Sequence, residues 1–151
     1  MFGGEAFESA VEVTDVGEFA GDKKHGRGTL TKANGDNYVG EFAVDKKHGR
    51  GTLTEADGNI YVGGFLSGNE EGKGTYTWPD GSNYFGEWRD GQYHGEGTWT
   101  GTNGYKYVGE WKDGSRNGKG KHTLGNGDKY VGEFLADKVT GKGTFTWTSG
   151  D

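Results

Sequence analysis

Residues 38–60 read YVGEFAVDKKHGRGTLTEADGNI, and the chain on either side repeats this pattern every 23 residues. With Tyr38 as position 1, the copies begin at Asp15, Tyr38, Tyr61, Tyr84, Tyr107 and Tyr130, with no insertion or deletion between them. A period of this length, held this strictly, is the mark of a stacked array in which each unit touches its neighbours, and not of a domain built around one central core.

Composition supports the array. Hydrophobic residues make up 29% of the 151, whereas an ordinary globular chain is roughly 45–50% apolar with glycine counted in. Much of the difference is made up by 33 glycines, and positions 3, 12, 14 and 21 are Gly in every copy. Glycine set at fixed intervals among Tyr, Phe and Trp is a structural rule, so the chain is read as folded and not as a disordered linker.

Each copy reads as a β-hairpin. Positions 1–5 (Tyr38, Val39, Gly40, Glu41, Phe42) alternate ring, Gly and ring on one face with Val and Glu on the other, and positions 12–17 (Gly49 to Thr54) alternate in the same way. The six residues AVDKKH between them are expected to form one turn and ADGN a second, whose Asp-Gly chemistry suits positive φ. Consecutive hairpins then continue as an antiparallel meander: an all-β, single-layer, elongated and twisted repeat solenoid. Symmetric closure sets Phe42 against Gly49, Gly40 against Gly51 and Tyr38 against Leu53 on one face, so that rings lie across glycines. The other face then pairs Glu41 with Arg50, and likewise Glu18 with Arg27, Glu110 with Lys119 and Glu133 with Lys142. This pairing fails at Gly64 with Lys73 and at Glu87 with Glu96.

The motif YFGEWRDGQYHGEGT, Tyr84–Thr98, resembles the MORN repeat (membrane occupation and recognition nexus), and the resemblance spans residues 15–151. Departures are Asp15 for Tyr, Gly64 for Glu, and Asp22, Asp45 and Asp137 where the family usually has Gly. The resemblance implies a twisted sheet of hairpins with an aromatic groove, as in plant phosphatidylinositol phosphate kinases, junctophilins and cytoskeletal scaffolds. Domain boundaries follow the period: 1–14 as an N-terminal cap or degenerate half-repeat, then an array divided as 15–37, 38–60, 61–83, 84–106, 107–129 and 130–151. A partial repeat at the start and a stop within a turn at Ser149 to Asp151 suggest a piece of something longer.

Catalytic chemistry is poorly represented. Absence of Cys removes disulfides, thiolate metal sites and a thiol nucleophile. His25, His48 and His94 fall in separate copies and read as turn residues, while His122 replaces a large side chain at position 16 and reads as part of the ring face. Glu87 and Glu96 read as a surface pair, and the Asn-Gly-Asp and Asp-Gly-Asn turns lack the ligand count of a calcium loop. No catalytic residue, metal or cofactor is expected. A net charge of −6 argues against nucleic acid. No apolar run approaches the roughly 18 residues of a membrane span, and no signal peptide is recognisable, so a cytoplasmic location, with or without cytoskeletal or membrane association, is expected.

Two surfaces carry the functional expectations. The ring face becomes richer in Trp in the third to fifth copies, and a single-layer sheet is expected to leave part of it open. The proposed groove comprises Tyr61, Phe65, Tyr76, Tyr84 and Trp88, continued by Trp99, Tyr107, Trp111, Tyr130 and Phe134. It implies a non-enzymatic scaffold holding an amphipathic helix or extended peptide. A basic patch of Lys23, Lys24, His25 and Arg27, repeated as Lys46, Lys47, His48 and Arg50, is the basis for the alternative, an adaptor for anionic phospholipid or phosphoinositide. A third reading is the accessory region of a larger enzyme. Homodimerisation through an end or the ring face is also expected.

Overall fold

The structure, a computed structural model, describes residues 14–20 and 23–148, with side chains described from residue 26 onward. Most of the expected cap, residues 1–13, and the last turn, residues 149–151, lie outside the described residues. Among the described residues, twelve strands form one open antiparallel sheet whose order follows the chain. They are β1 (Thr14–Ala20), β2 (Lys23–Thr31), β3 (Asn37–Ala43), β4 (Lys46–Thr54), β5 (Ile60–Leu66), β6 (Asn69–Thr77), β7 (Asn83–Arg89), β8 (Gln92–Thr100), β9 (Lys106–Lys112), β10 (Ser115–Thr123), β11 (Lys129–Leu135) and β12 (Lys138–Thr146). Each copy therefore supplies one seven-residue and one nine-residue strand, and the meander read from the period is the fold.

The hairpin closes differently from expectation. The turn is two residues long, not six: Val44 and Asp45, both at positive φ (50° and 68°), join β3 to β4. Such a pair matches the right-handed twist of the flanking strands. Strand pairing then runs Ala43 with Lys46 and Phe42 with Lys47, and further along Gly40 with Gly51, Val39 with Thr52 and Tyr38 with Leu53. Between these stretches Glu41 spans His48, Gly49 and Arg50, forming a bulge that recurs in every hairpin. The expected contact of position 5 with position 12 does exist, but between copies: Gly49 pairs with Phe65 across β4 and β5.

The bulge also explains position 4. Glu41 does not pair with Arg50 through its side chain; its carboxylate accepts the backbone N–H of Arg50 at 2.8 Å, as Glu110 does for Lys119 at 2.8 Å and Glu87 for Glu96 at 3.3 Å. A backbone donor is indifferent to the side chain it belongs to, which is why Glu96 is tolerated where a base was expected. Ion pairing runs instead to the next copy, where Arg27 stands opposite Glu41 with 4.0 Å between charged atoms. Gly49 in the bulge has φ 75°, and a Cβ there would collide with the Glu41 carboxylate, so two independent constraints select Gly. In the third repeat Gly64 has replaced Glu, and a Cβ on it would strike the Glu71 carbonyl oxygen.

A single-layer sheet needs a core of its own, and this one is a chain of rings. Phe42, Tyr38, Phe65, Tyr61, Trp88, Tyr84, Trp111, Tyr107, Phe134 and Tyr130 touch in that order, each pair edge to face with centroids 5.0–5.4 Å apart. Edge-to-face pairs contribute about 0.5–1.5 kcal/mol each beyond area burial. The Tyr rings lie over the paired glycines, as expected: a Cβ on Gly51 would overlap the Tyr38 ring. Each Tyr hydroxyl donates to the carbonyl of position 4, Tyr38 to Glu41 at 2.7 Å and Tyr84 to Glu87 at 2.8 Å, which satisfies a polar tip that burial would otherwise penalise.

Candidate functional site

Of the ten residues expected to line an open groove, eight belong to this buried spine: Tyr61, Phe65, Tyr84, Trp88, Tyr107, Trp111, Tyr130 and Phe134. Trp88 and Trp111 are only 6% and 7% exposed, and their indole N–H groups are spent on the carbonyls of Gly74 and Gly97. Tyr76 and Trp99 are half-buried and pack on top of the spine. The surface a partner would meet is therefore a second tier of side chains.

That tier has two rows. Position 16 supplies Leu53, Tyr76, Trp99 and His122, with Phe145 at the end. Position 10 supplies Lys47, Glu70, Tyr93 and Arg116, set on the ring face because the short turn pairs each with the buried ring at position 5. The second row went unread in the sequence because position 10 was assigned to a turn. The signal was present, in the Ser67-Gly68, Asp90-Gly91 and Asp113-Gly114 dipeptides that specify two-residue hairpins.

Two adjoining recesses open between the rows. One, of about 260 Å³, is bordered by Tyr76, Trp78, Trp88, Gln92 and Tyr93. The other, of about 390 Å³, is bordered by Tyr93, Trp99, Tyr105, Trp111, Arg116 and His122. They share Tyr93, whose ring stacks on Tyr84 with centroids 4.0 Å apart. Burial pushes the Tyr93 hydroxyl up to about 12, so it stays a neutral donor at physiological pH. Burial, followed by the charge of Arg116, lowers the His122 pKa, so that its imidazole, stacked 5.1 Å from Tyr105, is neutral at pH 7.

Arg116 and Asp137 form the far wall. The Asp137 N–H donates to the Arg116 carbonyl at 2.9 Å, one of several clips from a hairpin turn to the preceding repeat. Asp137 Oδ1 accepts from the Arg116 backbone N–H at 2.8 Å and from its Nε at 3.2 Å. Burial works against ionisation of Asp137, but these hydrogen bonds, the guanidinium charge and Ser115 outweigh it and hold its carboxyl below the usual range. The Asp that departs from the family's usual Gly at position 8 is thus used to fix an arginine.

In the second copy the residues of the basic patch are divided between the two faces. Lys46–Thr54 is strand, not turn, and the bulge at His48 to Arg50 interrupts the alternation of its side chains between faces. Lys47 lies half-buried on the ring face, 5.8 Å from the Tyr38 ring centroid, with its pKa lowered by burial and then by the charge of Lys32. Arg27 and Arg50 are exposed at position 13, on the opposite face, Arg27 beside Glu41 and Arg50 reaching the Lys73 carbonyl at 3.5 Å. Lys46 is exposed beside the turn, and His48 is a half-buried strand residue, as is His94, so the turn assignment for these histidines is corrected. The side chains of Lys23, Lys24 and His25 lie outside the described residues. No cluster suited to a metal ion occurs among the described residues. The outer face carries an exposed stripe of Val39, Val62, Phe85, Val108 and Val131.

A search of curated proteins finds no match to the chain. The MORN repeat profile, however, matches six consecutive segments, residues 16–37, 38–60, 61–83, 84–104, 107–129 and 130–151. With nearly every residue from 16 to 151 matched, and each matched repeat folding as one hairpin, the chain belongs to the MORN repeat family.

Proposed function

We propose that this chain is a non-enzymatic adaptor that holds a protein segment against the ring face between Trp78 and Arg116. MORN repeats are generally non-enzymatic and point to protein- or lipid-binding adaptors. The observation that carries the protein reading is the pair of adjoining recesses walled by half-exposed rings on a rigid sheet. Large, stiff aromatic side chains in concave surfaces are the usual anchors of protein recognition. The lipid reading draws less support, because Lys47 and Arg50 fall on opposite faces of the sheet. Substitution of Trp78 and Trp99 by Ser tests the proposal, since both lie above the spine, with Phe85→Ser on the outer face as control. A partner captured from native extract should be retained by the intact chain and by F85S and lost by the double variant. Binding to anionic vesicles that survives W78S/W99S but is lost on Lys46→Glu with Arg50→Glu would replace protein by lipid.

A further inference from the structure

The larger recess exists where the repeat is broken. Position 18 is Trp in the third and sixth copies, Trp78 and Trp147, but Gly101 in the fourth; position 16 of the fifth copy is His122 where others carry Leu, Tyr, Trp or Phe. Trp99 and Tyr105 have closed over Gly101, where a Cβ would come within 3.0 Å of each. Volume is thereby left beside Trp99, Tyr105 and Trp111, about 390 Å³ of it. That is room for a large planar side chain, and these walls present ring surfaces to it.

Arg116 supplies the polar feature. Its Nε donates to Asp137 Oδ1 at 3.2 Å and its Nη2 to the Asp137 carbonyl at 2.6 Å. The guanidinium also lies 5.3 Å from the Phe134 ring centroid and 5.9 Å from that of Tyr107, so its position is fixed before any ligand arrives. A guanidinium has five N–H donors, and among the described residues Arg116 hydrogen-bonds through Nε and Nη2, with no acceptor meeting the Nη1 pair. Asp137, by contrast, is already answered by the Arg116 backbone and side chain, and His122 is neutral at pH 7. The unmet demand in the recess is for a hydrogen-bond acceptor.

Resting on the ring-face reading above, we propose that this recess takes an aromatic side chain with a carboxylate beside it, so that the bound segment is acidic and aromatic, its ring against Trp99 and Trp111 and its carboxylate on Arg116. A cation would meet Arg116 head on. A bare phosphate would leave the ring walls wet.

The test uses three small probes on the intact chain: N-acetyl-tryptophan, its amide, and tryptamine. Binding is read from the His122 ring signals and the Trp99 and Trp111 indole signals in NMR spectra. The acid should bind at millimolar concentrations, at least about five-fold more tightly than the amide, as expected for a charge-assisted contact, and tryptamine should bind weakest. Arg116→Met should remove the preference for acid over amide while both still shift Trp99. Equal binding of acid and amide, tighter binding of tryptamine, an acid preference that survives R116M, or no shift by about 10 mM acid would each overturn the proposal. The acid-to-amide comparison on the unmodified chain stands even if R116M folds poorly. Partner capture that depends on Trp78 and Trp99 without any acid preference would sink this inference and leave the function standing; the converse result would sink the function alone.

Discussion

Tyr84 shows how one residue does several jobs in a sheet too thin to have an interior. Its ring covers Gly97, touches Trp88 and Trp111 edge to face, stacks on Tyr93, and sends its hydroxyl to the Glu87 carbonyl. Burial of such rings raises their hydroxyl pKa values: Tyr38 and Tyr107 to about 12, with Tyr61 and Tyr84 pushed further in the same direction. The unfolded value is about 10, so between these limits the unfolded chain binds fewer protons than the folded one and stability falls as pH rises. The contribution is complete below pH 10 and is lost as pH climbs through the folded-state values. Several tyrosines share this shift, so base-induced unfolding should be steep and should coincide with tyrosinate absorbance. Ionisation of Tyr38, Tyr61, Tyr84 and Tyr107 near pH 10 with the sheet spectrum intact would contradict the burial described here.

At the scale of the hairpin, the sequence was legible in some places and opaque in others for identifiable reasons. Alternation along positions 1–5 and 12–17 specified strands and faces, and the Tyr-over-Gly contact followed from period two alone. The turn was misplaced because the second copy has Val44-Asp45 where the third, fourth and fifth have Ser-Gly or Asp-Gly, the recognisable signal for a two-residue turn. A three-for-one bulge then hid the ring-face row at position 10, since it breaks the alternation that would have revealed it. The groove itself was legible only as a ring-rich face; which rings are structural depends on the spine, and that is a property of neighbouring copies. Val44 bears a visible cost of this variation, as a β-branched residue at φ 50°. Val44→Asn, which suits positive φ, should stabilise the chain by about 0.5–1 kcal/mol, seen as a higher urea midpoint with unchanged slope. A lower midpoint would mean that the Val44 side chain makes a contact worth more than the strain.

Across the whole molecule, every strand packs mainly on its neighbours in sequence, so stability should be a sum of hairpins and junctions. The ring chain is the element that crosses each junction from the second copy to the sixth: Tyr61 meets Trp88 from the next copy at 5.1 Å, and Tyr84 meets Trp111 at 5.4 Å. This separates the two tiers of tryptophan experimentally. Trp88→Ala deletes a buried ring that links the third and fourth copies and should cost about 3–5 kcal/mol, whereas Trp78→Ser, on the half-exposed tier, should cost far less. Because coupling is between nearest neighbours, the loss should also be local. Amide hydrogen exchange in W88A should rise first in β5 to β8, with protection retained toward β11, and unfolding should broaden or split into two steps. W88A that unfolds in a single transition with uniform loss of protection would show that the array behaves as one cooperative unit. W88A as stable as W78S would instead show that Trp88 is a surface ring after all, and would return it to the groove.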